Sequence, residues 1–186
     1  MAVERPTGLL VLADVSGYSQ YVGGTELEHA RMVMAQLLEV LARRLAPPLR
    51  LSAVEGDALL LYAAADTPLD LLDRFVSAYG DFREAAKSTE PCVGCSCTAC
   101  RTVKDLQLKF IVHAGEFLEQ NVAGHVQLFG HAVNVAHRML KNHIPAKQYI
   151  FVTEAASGLV ALGAPSVAHH ETADVGEVRG SYRLLG

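Results

Sequence analysis

The run Gly8-Leu-Leu-Val-Leu-Ala13, closed by Asp14, does most to narrow what this chain can fold into. A short stretch with no polar side chain reads as a strand buried on both faces, which belongs inside a sheet covered by helices. Asp14 sits at its end. A second aspartate, Asp57, falls in the turn Glu55-Gly56-Asp57 between the apolar runs 49–54 and 58–64, a hairpin pattern. If the two strands are neighbours, both carboxylates point at one spot. There they can hold a pair of divalent cations that clamp phosphate oxygens and activate a hydroxyl. Plain turn chemistry accounts for either aspartate taken alone.

The remaining pattern supplies the other elements. Thr25 and Glu28 have capping-box spacing and open a helix to about Ala46. Its apolar stripe is Leu27, Ala30, Met34, Leu37, Leu38, Leu41 and Leu45, and Pro47-Pro48 stops it. Pro68 begins a second helix whose apolar stripe is Leu69, Leu72, Phe75, Val76, Tyr79 and Phe82. A strand over 106–113, a third helix over Gly130–Lys141, a strand over 149–152, a short helix near 154–162 and a last strand near 181–185 follow. The order strand-helix-strand-strand-helix-strand predicts an α+β fold, a ferredoxin-like βαββαβ core with C-terminal additions, in a single domain over 1–186.

Within the third helix Asn134 and Arg138 stand four residues apart, on one face. An amide beside a guanidinium can bind phosphate or ribose oxygens and neutralise charge that develops in a transition state. A solvated helix face would carry the same two residues. Among the histidines, His113 lies inside an apolar strand and reads as a packed, hydrogen-bonded residue.

Four segments, in order, resemble the catalytic domain of class III nucleotidyl cyclases, the adenylate and guanylate cyclases. They are Leu12-Ala-Asp14-Val-Ser-Gly17-Tyr18-Ser19, the Glu55-Gly56-Asp57 hairpin, Phe110-Ile-Val-His113-Ala-Gly115, and Phe129-Gly130-x-x-Val133-Asn134-x-Ala136-x-Arg138-Met139. The resemblance spans roughly residues 8 to 152. It implies that Asp14 and Asp57 bind Mg2+ or Mn2+, that Asn134 and Arg138 form the transition-state pair, and that the site assembles from a nucleoside triphosphate and two copies of the chain.

Departures from the family accompany the matches. The position of the adenine-reading lysine is Ala53, and the second base-reading position is Gln127. Glu116–Gly124 is longer and more acidic than the family's turn. The C-terminal segment is short, with Arg179 and Arg183 standing where a triphosphate-binding lysine is expected.

Between the second helix and the strand at 106 lies Cys92-x2-Cys95-x-Cys97-x2-Cys100, an insertion over about 88–104 that holds all four cysteines. In a reduced cytoplasm such a cluster suits Zn2+ better than disulfides. The single-residue gap between Cys95 and Cys97 makes a closed four-thiolate site tight, which points either to a nearby histidine in place of one thiol or to a site shared across a dimer. A redox-active thiol cluster is the other reading.

Composition excludes several classes. The chain has 186 residues, 51% hydrophobic and 19% charged, with a formal net charge of -4. That balance fits a folded domain and gives no basic surface for nucleic acid or anionic membrane. Met1–Pro6 leads straight into a strand, and no apolar stretch is long enough to span a bilayer, so the expected location is cytoplasmic. Two functions follow: a homodimeric cyclase acting by two-metal phosphoryl transfer, or a cyclase-like nucleotide-binding or regulatory module without turnover. A palm-type enzyme making a cyclic dinucleotide fits less well, for want of its Gly-Gly-Asp/Glu-Glu-Phe turn.

Overall fold

The computed structural model describes residues 7–64, 70–88 and 95–186. Fourteen named elements follow one another: β1 Thr7–Ser16, α1 Tyr18–Gly23, α2 Leu27–Leu45, β2 Arg50–Glu55, β3 Ala58–Ala64, α3 Leu71–Lys87, α4 Thr98–Thr102, β4 Gln107–Glu116, β5 Leu118–Val122, β6 His125–Phe129, α5 His131–Arg138, β7 Tyr149–Thr153, β8 Val167–Ala173 and β9 Gly176–Leu184. The main sheet has seven strands in the order β2-β3-β1-β4-β7-β9-β8, and β5 and β6 form a separate two-stranded ribbon. The first four strands in that order, antiparallel throughout, are the ferredoxin-like core. β7 joins β4 in parallel, and the β8–β9 hairpin extends the edge.

Strand periodicity divides the core in two. Leu9, Val11, Ala13 and Val15 of β1 pack with α2 and α3, as do Leu59 and Leu61 of β3 and Leu108, Phe110 and Val112 of β4. The alternate residues Leu10, Leu12, Leu60 and Ile111 face the other way, under Val133, Ala136 and Met139 of α5 and its extension. Phe75 of α3 stacks on Phe110 at 4.8 Å between ring centroids, both fully buried.

The expected helices appear with shifted ends. α2 begins at Leu27 with Glu26 at its N-cap and no capping side-chain bond, while Thr25 donates its hydroxyl to the Tyr21 carbonyl. The capping box is therefore not formed. Thr25 closes α1 instead, and Glu26 is drawn to another partner described below. Leu27 is 71% exposed, so the buried stripe starts one turn later than the spacing predicts. α3 starts at Leu71, and Pro68 lies outside the described residues. α5 ends at Arg138 and tightens into a 3-10 turn over Met139–Lys141. The segment near 154–162 holds only a 3-10 turn, Glu154–Ala156. The run after Glu116, read as a turn, is the β5–β6 ribbon. No helix among the described residues is long and apolar enough to cross a membrane.

Candidate active site at one end of the sheet

Asp14 is the seventh paired residue of β1 against β3, opposite Ala58, and it faces Lys109 across the pair with β4. Its parity is that of Leu10 and Leu12, so its side chain lies on the α5 face. Lys109 has the parity of Ile111 and lies on that face too. Its ammonium sits 3.1 Å from Asp14 Oδ2, both side chains mostly covered, at 16% and 14% exposure. The same ammonium donates to the Leu140 carbonyl at 2.8 Å. Lys109 thus ties the carboxylate to the end of the α5 segment.

Asp57 comes from the hairpin tip. Gly56 has φ 66, a backbone state that glycine adopts without cost at the first position of a two-residue hairpin turn. The tip is fastened to β1 by the Val15 N–H, which donates to the Asp57 carbonyl at 3.1 Å. Burial first, and then the negative charge of Asp14, push the Asp57 carboxyl above its ordinary range, against an opposing pull from its own backbone N–H and Lys109. Two partly desolvated carboxylates that feel each other in this way suit a divalent cation, which removes the repulsion. Asp14 and Asp57 are the residues that would hold one.

α5 closes the site from above. Gly115 permits its approach: a Cβ there would stand 2.7 Å from the Ala132 Cβ. His137 donates its Nδ1–H to the Val133 carbonyl at 2.8 Å, and its Nε2 lies 2.8 Å from Glu55 Oε2, which links the helix to the hairpin. Asn134 is exposed on this helix. Arg138, its last residue, pairs with Asp174 in the β8–β9 turn, and that bond holds the Asp174 carboxyl below its usual range.

Other expected positions lie apart within one chain. Ala53 sits at the β2 bulge and packs on the α5-side core. Gln127 lies opposite Gln120 on the exposed ribbon. Arg179 pairs with Glu177 at 3.1 Å, and Arg183 donates to the Leu162 carbonyl at 3.0 Å. Both arginines have the parity opposite to Val178 and Tyr182, so they face away from Asp14. In the insert, Cys95, Cys97 and Cys100 converge, and Cys92 lies outside the described residues. Lys109, Asp174 and His29 joined these clusters without a motif to announce them. For Lys109 the signal was available: a cation facing Asp14 in a strand pair of matched length.

Comparison with known proteins fixes the family. The model described as "Protein of unknown function (DUF2652)" matches residues 34–149. The chain belongs to the DUF2652 family. One relative is the uncharacterized protein Rv2561/Rv2562 of Mycobacterium tuberculosis (strain ATCC 25618 / H37Rv), 36% identical over 129 residues, covering 65% of this chain and 57% of that protein. The match thus spans little more than half of the relative's length.

The fold of this DUF2652 protein is that of class III nucleotidyl cyclases. A bacterial light-regulated adenylyl cyclase superposes with a TM-score of 0.76 at 12% identity, over 98% of this chain and 52% of that one. The guanylate cyclase domain of RhGC from Catenaria anguillulae, in complex with GTP, superposes at 0.66 with 19% identity and full coverage of both chains.

Proposed function

We propose that this DUF2652 domain binds a nucleoside triphosphate with Mg2+ or Mn2+ at Asp14 and Asp57 and cyclises it at a homodimer interface. The observation that carries the reading is the convergence of Asp14 and Asp57 on the end of the sheet that α5 covers. When bound, the cations supply charge and Lewis acidity to the triphosphate. The ribose 3′-oxygen attacks the α-phosphorus, loses its proton, and pyrophosphate leaves. Arg138 of the facing subunit neutralises the charge that gathers on the phosphoryl oxygens, and Asn134 orients the ribose. Arg138 must release Asp174 to do so. A second copy has apolar surface to bury: Leu27, Leu51 and Val54 stand exposed beside the α2–β2 groove, and Val126 and Phe129 on the ribbon.

A second reading is favoured by the Lys109–Asp14 pair, which already neutralises one carboxylate, and by Ala53 and Gln127 at the base-reading positions. It is a module that holds a nucleotide without turnover. Product analysis with each ribonucleoside triphosphate, in Mg2+ and in Mn2+, decides between them. Formation of a 3′,5′-cyclic nucleotide that is lost in Asp57→Ala establishes the enzyme. Saturable nucleotide binding without product establishes the module.

A further inference from the structure

The part of the insert described from residue 95 to 104 is docked on the start of α2. The Tyr21 hydroxyl donates to the Ala99 carbonyl at 3.2 Å. Glu26 accepts from the Thr98 and Ala99 N–H groups at 3.2 and 3.1 Å, which caps α4 from a distant helix. One turn along, His29 presents its Nδ1 to three sulfurs. Cys97 Sγ lies at 3.1 Å, Cys95 Sγ at 3.6 Å and Cys100 Sγ at 3.9 Å. Cys97 and Cys100 Sγ are 3.2 Å apart, and all the ligand atoms of this group fall within 4.8 Å of one another.

A tetrahedral zinc ion with bonds of about 2.3 Å to sulfur and about 2.0–2.1 Å to nitrogen needs ligand-to-ligand edges of about 3.5–3.8 Å. The spacings from His29 bracket that range. The residue types also agree, since soft thiolates with one imidazole select zinc over harder cations. An outer bond is in place as well: the Cys100 N–H points at Cys97 Sγ at 3.4 Å, the kind of contact that steadies a ligating thiolate.

We propose that His29, Cys95, Cys97 and Cys100 bind one zinc ion that fastens the insert to α2. Cys100 is in a disulfide in this structure, while Cys95 and Cys97 are free thiols. The complete site therefore forms in the reduced chain. A dithiol reductant supplies two electrons and two protons, the S–S bond breaks to give two thiols, and the reductant becomes its own disulfide. Zinc then binds as the ligating thiols release their protons to solvent. The site is independent of nucleotide chemistry, because it lies on the insert and the start of α2 and shares no residue with Asp14, Asp57 or α5.

The test is titration of the full chain, reduced with a phosphine and freed of metal, with Zn2+ alone and with Co2+ as spectroscopic probe. The expected result is about one equivalent per chain, tetrahedral Co2+ bands, and thiolate-to-metal charge transfer of three-thiolate intensity. His29→Ala, a change in a partly exposed helical position, should weaken binding on the order of tenfold or more and shift the cobalt bands, with the helical circular dichroism retained. Cys97→Ser should lower the charge-transfer intensity by about a third. The unreduced chain should bind at least about tenfold more weakly than the reduced one. No stoichiometric uptake by the reduced chain, equal affinity before and after reduction, or an unaltered His29→Ala spectrum would each overturn the assignment.

Discussion

Asp14 meets Lys109 across a strand pair whose register runs unbroken from Thr7 to Ser16, whereas Cys97 meets His29 across a loop and a helix start with no ladder between them. The first contact is made by backbone hydrogen bonds on both sides of β1, and it moves only if the sheet moves. The second is made by side chains, a helix cap and a few buried residues, Ala99 and Val103 among them. Precision at the carboxylates is thus a property of the whole domain. Precision at the thiols is local and depends on what the insert holds.

The sharpest way to break this contrast is at the carboxylates. Asp14→Ala and Asp57→Ala are each expected to remove turnover in the product assay while leaving folding intact. Arg138→Ala should lower it on the order of 10²-fold and nucleotide affinity by much less, because its charge matters most in the transition state. A mixture of Asp57→Ala and Arg138→Ala chains should regain part of the activity if the site is shared by two copies.

Next in size is the core behind the sheet. Phe110→Ala should cost about 3–5 kcal/mol in urea unfolding, since Phe110 is fully buried against Phe75. Metal uptake at the insert should survive in the fraction that remains folded. If it were lost as readily as sheet structure, the insert would not be a local unit.

A pH test comes third. Burial first, then the nearby His131, lower the His113 pKa from 6.5 to about 4. Its Nδ1 lies 2.9 Å from the Thr153 hydroxyl. The unfolded chain takes up a proton here near pH 6.5 and the native one does not until about pH 4. Stability is therefore full above the unfolded value and falls as pH drops between the two, by up to roughly 3 kcal/mol. Chemical denaturation across that window should show the loss, and His113→Asn should flatten it.

The smallest effect is expected at the insert. Glu26→Gln weakens the caps on Thr98 and Ala99. Amide exchange at those two residues should quicken while β1 and β4 amides stay protected. Equal acceleration in both places would erase the distinction between the regions.

How much could be read in advance follows the same line. Continuous apolar runs bounded by turn signals placed β1, the β2–β3 hairpin and β4, and with them Asp14 and Asp57 at one end of neighbouring strands. The i, i+4 spacing placed Asn134 and Arg138 on α5. β5 and β6 are exposed at nearly every position, so no apolar alternation marks them as strands. β8 was hidden for another reason. Its buried residue is Glu171, held by His143 and His169, and a polar network carries no hydrophobic period. His29 lies in the first turn of α2, more than sixty residues before the cysteines. Nothing local ties it to them. Leu27 misled because a stripe read from spacing does not say which end of a helix leaves the core.

The pairing of Arg138 with Asp174 carries a consequence for how any anionic ligand would behave. The guanidinium is already matched, and both side chains are substantially open to solvent. A phosphate seeking Arg138 competes with a tethered carboxylate, so observed affinity is the intrinsic value scaled by the fraction of molecules in which the tether is open. Added salt screens both contacts at once. Rising ionic strength weakens the phosphate's hold and, in the same step, loosens its rival. Binding through Arg138 should therefore vary less with salt than the charge of the ligand suggests, and replacing Asp174 by asparagine should restore the steeper dependence.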